Sequence, residues 1–196
     1  MPSIYVAGPF FNPEQKKLYE DTVSLVEKYC NAYNVLRDGI FCPPNADIAT
    51  QQKAFDINAN KIEECDALVA ILDYVGVNLL TKIPADYRNS SDFLMKQYED
   101  HMAPDPESSG LGTLGYYRQI HLPDTGTVWE MGAAYMSRKP VIGLMTSKQK
   151  VNLMLARGTV CIANSFEQLH RVLPILVPAL DDENKLPSAI IELRLS

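Results

Sequence analysis

The run Ala67-Leu68-Val69-Ala70-Ile71-Leu72 is apolar without interruption and ends at Asp73. A strand with one face in water alternates apolar and polar residues, and this run has no polar face to give. It predicts a central strand of a parallel sheet, covered by helices on both sides. Asp73, at the end of that strand, stands where ligand-contacting residues sit in such sheets, although Asp also favours strand-ending turns for local reasons.

The flanking segments alternate between the two periodicities. Residues 3–7 read as a short buried strand stopped by Gly8-Pro9. Asn12-Pro13-Glu14-Gln15 then starts a helix: Asn12 caps, Pro13 has its φ already set, and Gln15 reaches back. That helix is expected to run to about Cys30. A weaker strand is expected over Gly39 to Cys42, stopped by Pro43-Pro44, and a helix over Ala54 to Glu64 with Phe55, Ile57 and Ile62 as core contacts. Further on come a helix over 125–138, a strand over Val141 to Met145 and a short helix over 151–156. A strand over Thr159 to Ile162 and a helix over Phe166 to Leu173 complete the pattern. The tail from about Asp181 shows no clear role.

Alternating strands and helices imply right-handed crossovers and a parallel sheet. The expected fold is α/β: a flavodoxin-like three-layer sandwich with a five-stranded parallel sheet, forming a single domain over residues 1–196. Ligands bind such sheets outside the carboxyl ends of the strands, which places the segments after Ala7, after Leu72 and before Glu130 around one crevice. Between about residues 74 and 123 the rhythm breaks into a long polar insertion after the third strand, rich in Gly, Pro and Tyr. It reads as a lid, an oligomer contact or a passive decoration. Tyr87, Tyr98, Tyr116 and Tyr117 within it suit an oligomer contact better than base stacking.

Composition excludes several classes of function. The net charge is −6, with no basic block, so a nucleic-acid partner lacks the positive stripe that phosphate binding requires. No apolar run approaches the roughly 20 residues that span a bilayer, and the first residues show no secretory leader; a cytoplasmic location is expected. The four cysteines, Cys30, Cys42, Cys65 and Cys161, are widely spaced and are read as reduced and mostly buried. Neither they nor the three histidines, His101, His121 and His170, have metal-ligand spacing. No metal and no cofactor are expected.

The chemistry is expected in Asp124-Thr125-Gly126-Thr127-Val128-Trp129-Glu130-Met131-Gly132-Ala133. A loop acid and a small-residue turn lead directly into a helix bearing Glu130 in its first turns. An acid there is also favoured simply by the helix dipole. Gly132 and Ala133 allow close packing, and Asp124 brings a second carboxylate to the same crevice. Trp129 reads as packing beside Glu130, and Arg157 as either a phosphate contact or a solvated helix end.

Four blocks, in order, resemble those of the nucleoside 2-deoxyribosyltransferase family. Ile4 to Asn12 resembles its opening signature, and Cys65 to Ala70 its third strand. Asp124-x-Gly126-Thr127-x-x-Glu130-x-Gly132 resembles its nucleophile motif. Lys139-Pro140-Val141-Ile142 followed by Asn152-Leu153-Met154 is similar to its third signature. The resemblance implies an enzyme that exchanges the base of a 2′-deoxynucleoside through a covalent deoxyribosyl ester on Glu130. Its partners are the small-molecule deoxynucleoside and the free nucleobase. In this scheme Tyr5 hydrogen-bonds and orients the carboxylate, while Asp124 and Asn152 contact sugar or base. Ala7 and Phe11 lie by the base, and Met154 flanks the site. A homo-oligomer built from dimers is implied, with Asn152 reaching a neighbour's site.

The logic resembles that of retaining glycosidases: a carboxylate stabilises oxocarbenium character and then captures the sugar, splitting one hard displacement into two. The chain departs from many members at Asn58, where they carry an acid that helps protonate the base. An amide can hydrogen-bond the base but cannot serve as its acid, leaving Asp124, Asp73 or water to supply the proton. The C-terminal carboxylate role of some members is not carried over to Leu193-Arg194-Leu195-Ser196. The alternative activity is hydrolysis of the N-glycosidic bond in deoxynucleosides or their 5′-monophosphates. Against it, Pro9-Phe10-Phe11-Asn12 stands where such hydrolases hold a phosphate. An NAD-type glycohydrolase and a non-catalytic nucleotide sensor are more distant readings.

Overall fold

The unbroken apolar run becomes β3 (Ala67–Ile71), buried over its whole length and paired on both edges. The computed structural model describes residues 1–40, 42–43, 46–73, 123–147, 153–182 and 184–195. The insertion expected at about 74–123 lies outside them, apart from Pro123. The other described strands are β1 (Ser3–Ala7), β2 (Asn31–Asn34), β4 (Val141–Leu144) and β5 (Cys161–Ala163). All pair in parallel, in the order β2-β1-β3-β4-β5. This is the five-stranded α/β sheet expected, with helices on both faces.

Alternation sorts the side chains. Ile4 and Val6 of β1, Val69 and Ile71 of β3, and Ile142 and Leu144 of β4 belong to one core cluster. It is completed by α1 (Pro13–Val26) and α6 (Phe166–Leu180), which bring Tyr19, Val23 and Val26, and Leu169, Leu173 and Leu176. The intervening residues, Tyr5 and Leu68, are paired in register. On the other side of the sheet α3 (Ile48–Glu64) packs against α4 (Thr125–Met136). Tyr5 therefore faces the helix that carries Glu130.

The start of α1 forms as expected: Asn12 Oδ1 accepts from Gln15 N at 2.9 Å, and Gln15 Oε1 accepts from Phe11 N at 3.0 Å. The β1–α1 junction is tight. A Cβ on Gly8 would lie 2.8 Å from Ile71 Cδ1 and 3.0 Å from Ile71 Cβ, so any larger residue must displace Ile71 for this turn to close on β3.

Several expectations are corrected. The second strand is not Gly39 to Cys42 but Asn31–Asn34. Helix α1 ends at Val26, earlier than expected, and its turn delivers Ala32 and Tyr33 to the sheet edge. Asn34 then caps α2 (Val35–Asp38), accepting from Leu36 N and Arg37 N, and Gly39, Ile40 and Cys42 follow in coil. Helix α3 begins at Ile48, capped by Asp47, whose carboxylate accepts from Thr50 N at 2.7 Å. Phe55, expected in the core, is 49% exposed. The short helix is α5 (Leu153–Gly158), and the last strand lies slightly later than expected.

Helix α6 does not stop before Pro174. It continues through Pro174 and Pro178, both on its exposed side. An interior proline costs a helix about 3 kcal/mol. Each of Leu169, Val172, Leu173, Leu176 and Val177 is buried, at about 1.5–3 kcal/mol apiece, and burial prevails. The tail has a role after all: α7 (Leu186–Leu195) packs on α6 and places Ala189 and Leu193 in the interior. Of the cysteines, Cys30 and Cys65 are buried, Cys161 is half-buried and Cys42 is exposed; none is in a disulfide. No described helix is long and apolar enough to cross a membrane.

Candidate active site

Tyr5 and Glu130, far apart in sequence, meet between β1 and α4. Tyr5 lies on β1, completely buried, and its hydroxyl donates to Glu130 Oε1 at 2.6 Å. Its neighbours hold it in place. The Tyr33 ring stacks on it at 5.2 Å with 29° between planes. Tyr19, also buried, donates to Val6 O at 3.1 Å and accepts from Val35 N at 2.8 Å, tying β1 to the end of β2. A buried ring stacked on Tyr33 holds its hydroxyl in a set place, and that hydroxyl orients the carboxylate.

Glu130 projects from the middle of α4. Burial pushes its carboxyl up to about 7, against the pull of the Tyr5 hydroxyl, which favours the ionised form; the nearby Asp124 charge raises it further. Burial and the Glu130 charge in turn hold the Tyr5 phenol far above its usual range. Tyr5 therefore stays a hydrogen-bond donor, while Glu130 changes charge near neutrality. Attack on carbon needs the ionised form, which the Tyr5 hydrogen bond favours and burial disfavours.

Asp124 caps α4: its Oδ2 accepts from Thr127 N at 2.8 Å and Thr127 Oγ1 at 3.1 Å. This carboxylate thus sets the start of the helix that carries Glu130. Asp73 follows β3 and is engaged by the turn after β4. Its Oδ2 accepts from Thr146 N and Thr146 Oγ1 at 2.8 and 3.0 Å, and its Oδ1 from Ser147 N at 2.6 Å. It therefore joins the ends of β3 and β4. Ser147 Oγ is buried there without a hydrogen-bond partner among the described residues.

Ala7 ends β1, fully buried, and Phe11 is 69% exposed beyond it, tilted against Phe10 at 5.7 Å. Asn58, half-buried on α3, accepts from the Tyr33 hydroxyl at 3.4 Å. A line of contacts thus runs from Glu130 through Tyr5 and Tyr33 to Asn58. Tyr33 is absent from the sequence motifs, because its strand offers only the two-residue apolar pair Ala32-Tyr33 between two asparagines. Trp129 is half-exposed, its ring 4.9 Å from that of Phe55. Met154 lies exposed on α5. Asn152, with Tyr87, Tyr98, Tyr116, Tyr117, His101 and His121, lies outside the described residues. Among the described residues no group of three or more His, Cys, Asp or Glu side chains could hold a metal ion.

Comparison with known proteins agrees with the first two of the four blocks, which lie within the matched residues. Residues 4–77 match the family model described as nucleoside 2-deoxyribosyltransferase, which bears out the resemblance. By sequence, the chain matches none of the curated proteins compared with it. Among solved structures, it is similar to a 2-deoxyribosyltransferase from the psychrotolerant bacterium Bacillus psychrosaccharolyticus. That match has 19% identity, covers 86% of this chain and 90% of the other, and has a TM-score of 0.56. A conserved protein from Enterococcus faecalis V583 is also similar, at 16% identity over 89% of this chain and 98% of the other, TM-score 0.57. A third is the Clostridium botulinum CMP N-glycosidase, at 17% identity over 88% and 98%, TM-score 0.46. At these identities the likeness to the first two is one of fold. The matching family is enzymatic and acts on the glycosidic bonds of nucleosides.

Proposed function

We propose that the chain is a nucleoside 2-deoxyribosyltransferase that exchanges the base of a 2′-deoxynucleoside by double displacement through Glu130. The observation that carries this reading is the 2.6 Å contact from Tyr5 to a carboxylate whose pKa is pushed up to about 7. Ionised Glu130 attacks C1′ as the C–N bond breaks. The departing base takes the bonding pair onto its ring nitrogen together with a proton, and a deoxyribosyl ester forms on Glu130. A second base attacks C1′ through its own ring nitrogen and loses a proton, and the Glu130 carboxylate is released. Two displacements at one carbon return the original configuration.

Tyr5 serves to orient the nucleophile and to stabilise its charge both before attack and on release. Asn58 offers a hydrogen bond to the base, and Asp124 or water supplies the proton. We do not assign that proton to Asp73, because both of its oxygens accept hydrogen bonds from the turn after β4. Ala7 and Phe11 border the base, with Met154 at the flank. Asn152 is assigned a contact to sugar or base in a neighbouring subunit of a dimer-based assembly. The apolar Phe10–Phe11 pair after β1 favours an incoming base over water, and thus transfer over hydrolysis.

The test is to supply deoxyuridine and adenine together. Deoxyadenosine is the expected product, and protein given a deoxynucleoside alone should gain the mass of one deoxyribosyl group. Free deoxyribose without a new nucleoside would make the chain a hydrolase, and no turnover of either kind would remove the reading.

A further inference from the structure

The outer edge of β5 borders a groove that the site around Glu130 does not use. β5 is last in the order β2-β1-β3-β4-β5 and pairs only with β4 among the described strands. Its outward backbone N–H and C=O groups are therefore unpaired by any described strand. Beside it lies a cleft of about 560 Å³, a volume in the small-ligand range of roughly 300–1,000 Å³. The exposed Arg157, Arg171 and Arg194 stand at its rim, and the buried Val160, Val172 and Leu193 form its floor. A second cleft of about 400 Å³ adjoins it, sharing Arg157 and Arg194 and adding Arg138.

The charge of this groove is unbalanced. The chain carries a net −6, and two described arginines are paired: Arg37, away from the groove, with Glu27 at 2.6 Å and Asp38 at 2.7 Å, and Arg171, which lines it, with Glu167 at 3.0 Å. Arg138, Arg157 and Arg194 have neither an ion pair nor a side-chain hydrogen bond among the described residues. Arg138 also has φ 59°, at the left-handed position after a helix that glycine ordinarily takes. Unpaired guanidinium groups around one concavity raise its positive potential, and their forked donors match phosphate oxygens in pairs.

We propose that this groove binds a nucleoside polyphosphate. The phosphates would run along Arg157, Arg194 and Arg138. The heterocycle would lie on the Val160–Val172 floor, with its polar edge against the free backbone of β5. Two adjoining clefts with shared arginines suit a chain of phosphates better than a single one, and an apolar floor beside a strand edge suits a flat ring with donors and acceptors. The site is separate from Glu130 and does not depend on the activity proposed for it.

The test is calorimetric titration of the full chain with ATP, tripolyphosphate and adenosine, at low and high salt. One ATP should bind per chain, more weakly at high salt, with tripolyphosphate and adenosine each at least tenfold weaker than ATP. Arg157→Gln combined with Arg194→Gln should weaken ATP at least tenfold and leave base exchange unchanged. Arg138→Gln alone should give a smaller loss, and Glu130→Gln should bind ATP like the parent. Tripolyphosphate binding as tightly as ATP would reduce the groove to a bare anion surface and overturn the proposal. ATP binding lost in Glu130→Gln but kept in the double variant would place the nucleotide in the crevice instead. No ATP binding, with the double variant changing only the sedimentation of the protein, would make the groove a contact between copies of the chain.

Discussion

The Tyr5 hydroxyl lies 2.6 Å from Glu130 Oε1, joining the first strand of the sheet to the helix that leads into the fourth. A hydrogen bond to a charged group contributes about 1.5–3 kcal/mol. Tyr5→Phe keeps the ring and its stack on Tyr33 while removing that bond, so turnover should fall about tenfold to a hundredfold by the same energy. Because the bond favours the carboxylate, its loss should also move the acidic limb of the rate profile to higher pH. An unshifted limb would show that the contact does not act on the nucleophile.

The parent enzyme should show kcat/KM rising with pH to a plateau, with its midpoint near the value of about 7 set by the burial of Glu130. The attacking form is the carboxylate, so activity is lost as pH falls through that value. A profile flat between about pH 5 and 8 would deny Glu130 the role of an ionising nucleophile.

Glu130→Gln should reduce transfer by roughly a thousandfold or more and abolish the deoxyribosyl adduct. Its effect on stability has the opposite sign. A carboxyl raised from 4.5 to about 7 by folding leaves stability intact below 4.5 and lowers it as pH rises through 7. The amide escapes that penalty. The variant should be more stable than the parent by about 1–3 kcal/mol above pH 7, with the gain vanishing towards pH 4. Denaturant melts at the two pH values measure it.

Tyr33→Phe separates the ring stack from the hydroxyl that meets Asn58 at 3.4 Å. A neutral hydrogen bond is worth about 0.5–1.5 kcal/mol, so KM for the deoxynucleoside should rise about twofold to tenfold while kcat changes less. A pure loss of kcat would mean that Asn58 does not position the base.

Gly8→Ala places a methyl 2.8 Å from Ile71 Cδ1 and 3.0 Å from the branched Cβ behind it. Overpacking of this kind costs about 1–3 kcal/mol, and the strain falls where β1 leads into the site. Both the melting temperature and kcat/KM should drop together.

Leu193→Ala tests the C-terminal helix. The side chain is 2% exposed and belongs to the main core, so truncation should cost about 2–5 kcal/mol. Activity measured well below the melting temperature should persist, since α7 bears none of the residues placed around Glu130.

The elements legible in the sequence were those with a strong local signal. The apolar run of β3, the Asn12–Pro13 start of α1 and the blocks around Tyr5 and Glu130 needed no tertiary information. The misplaced second strand had no such signal. Asn31–Asn34 is short and edge-bound, and its polar ends resemble a turn; only pairing with β1 makes it a strand. Pro174 likewise predicts a helix end from local sterics, and the buried face of α6 overrides it.

From its residues alone, the chain determined the class of sheet and the kinds of side chain that could act together, because burial on two faces and helix starts are encoded in neighbouring residues. Folding alone decided what those side chains became. The carboxyl of Glu130 is an ordinary acid in the sequence, and it becomes a group near neutrality only where α4 removes it from water beside Tyr5. Desolvation depends on everything that packs around a group, and no local pattern records it.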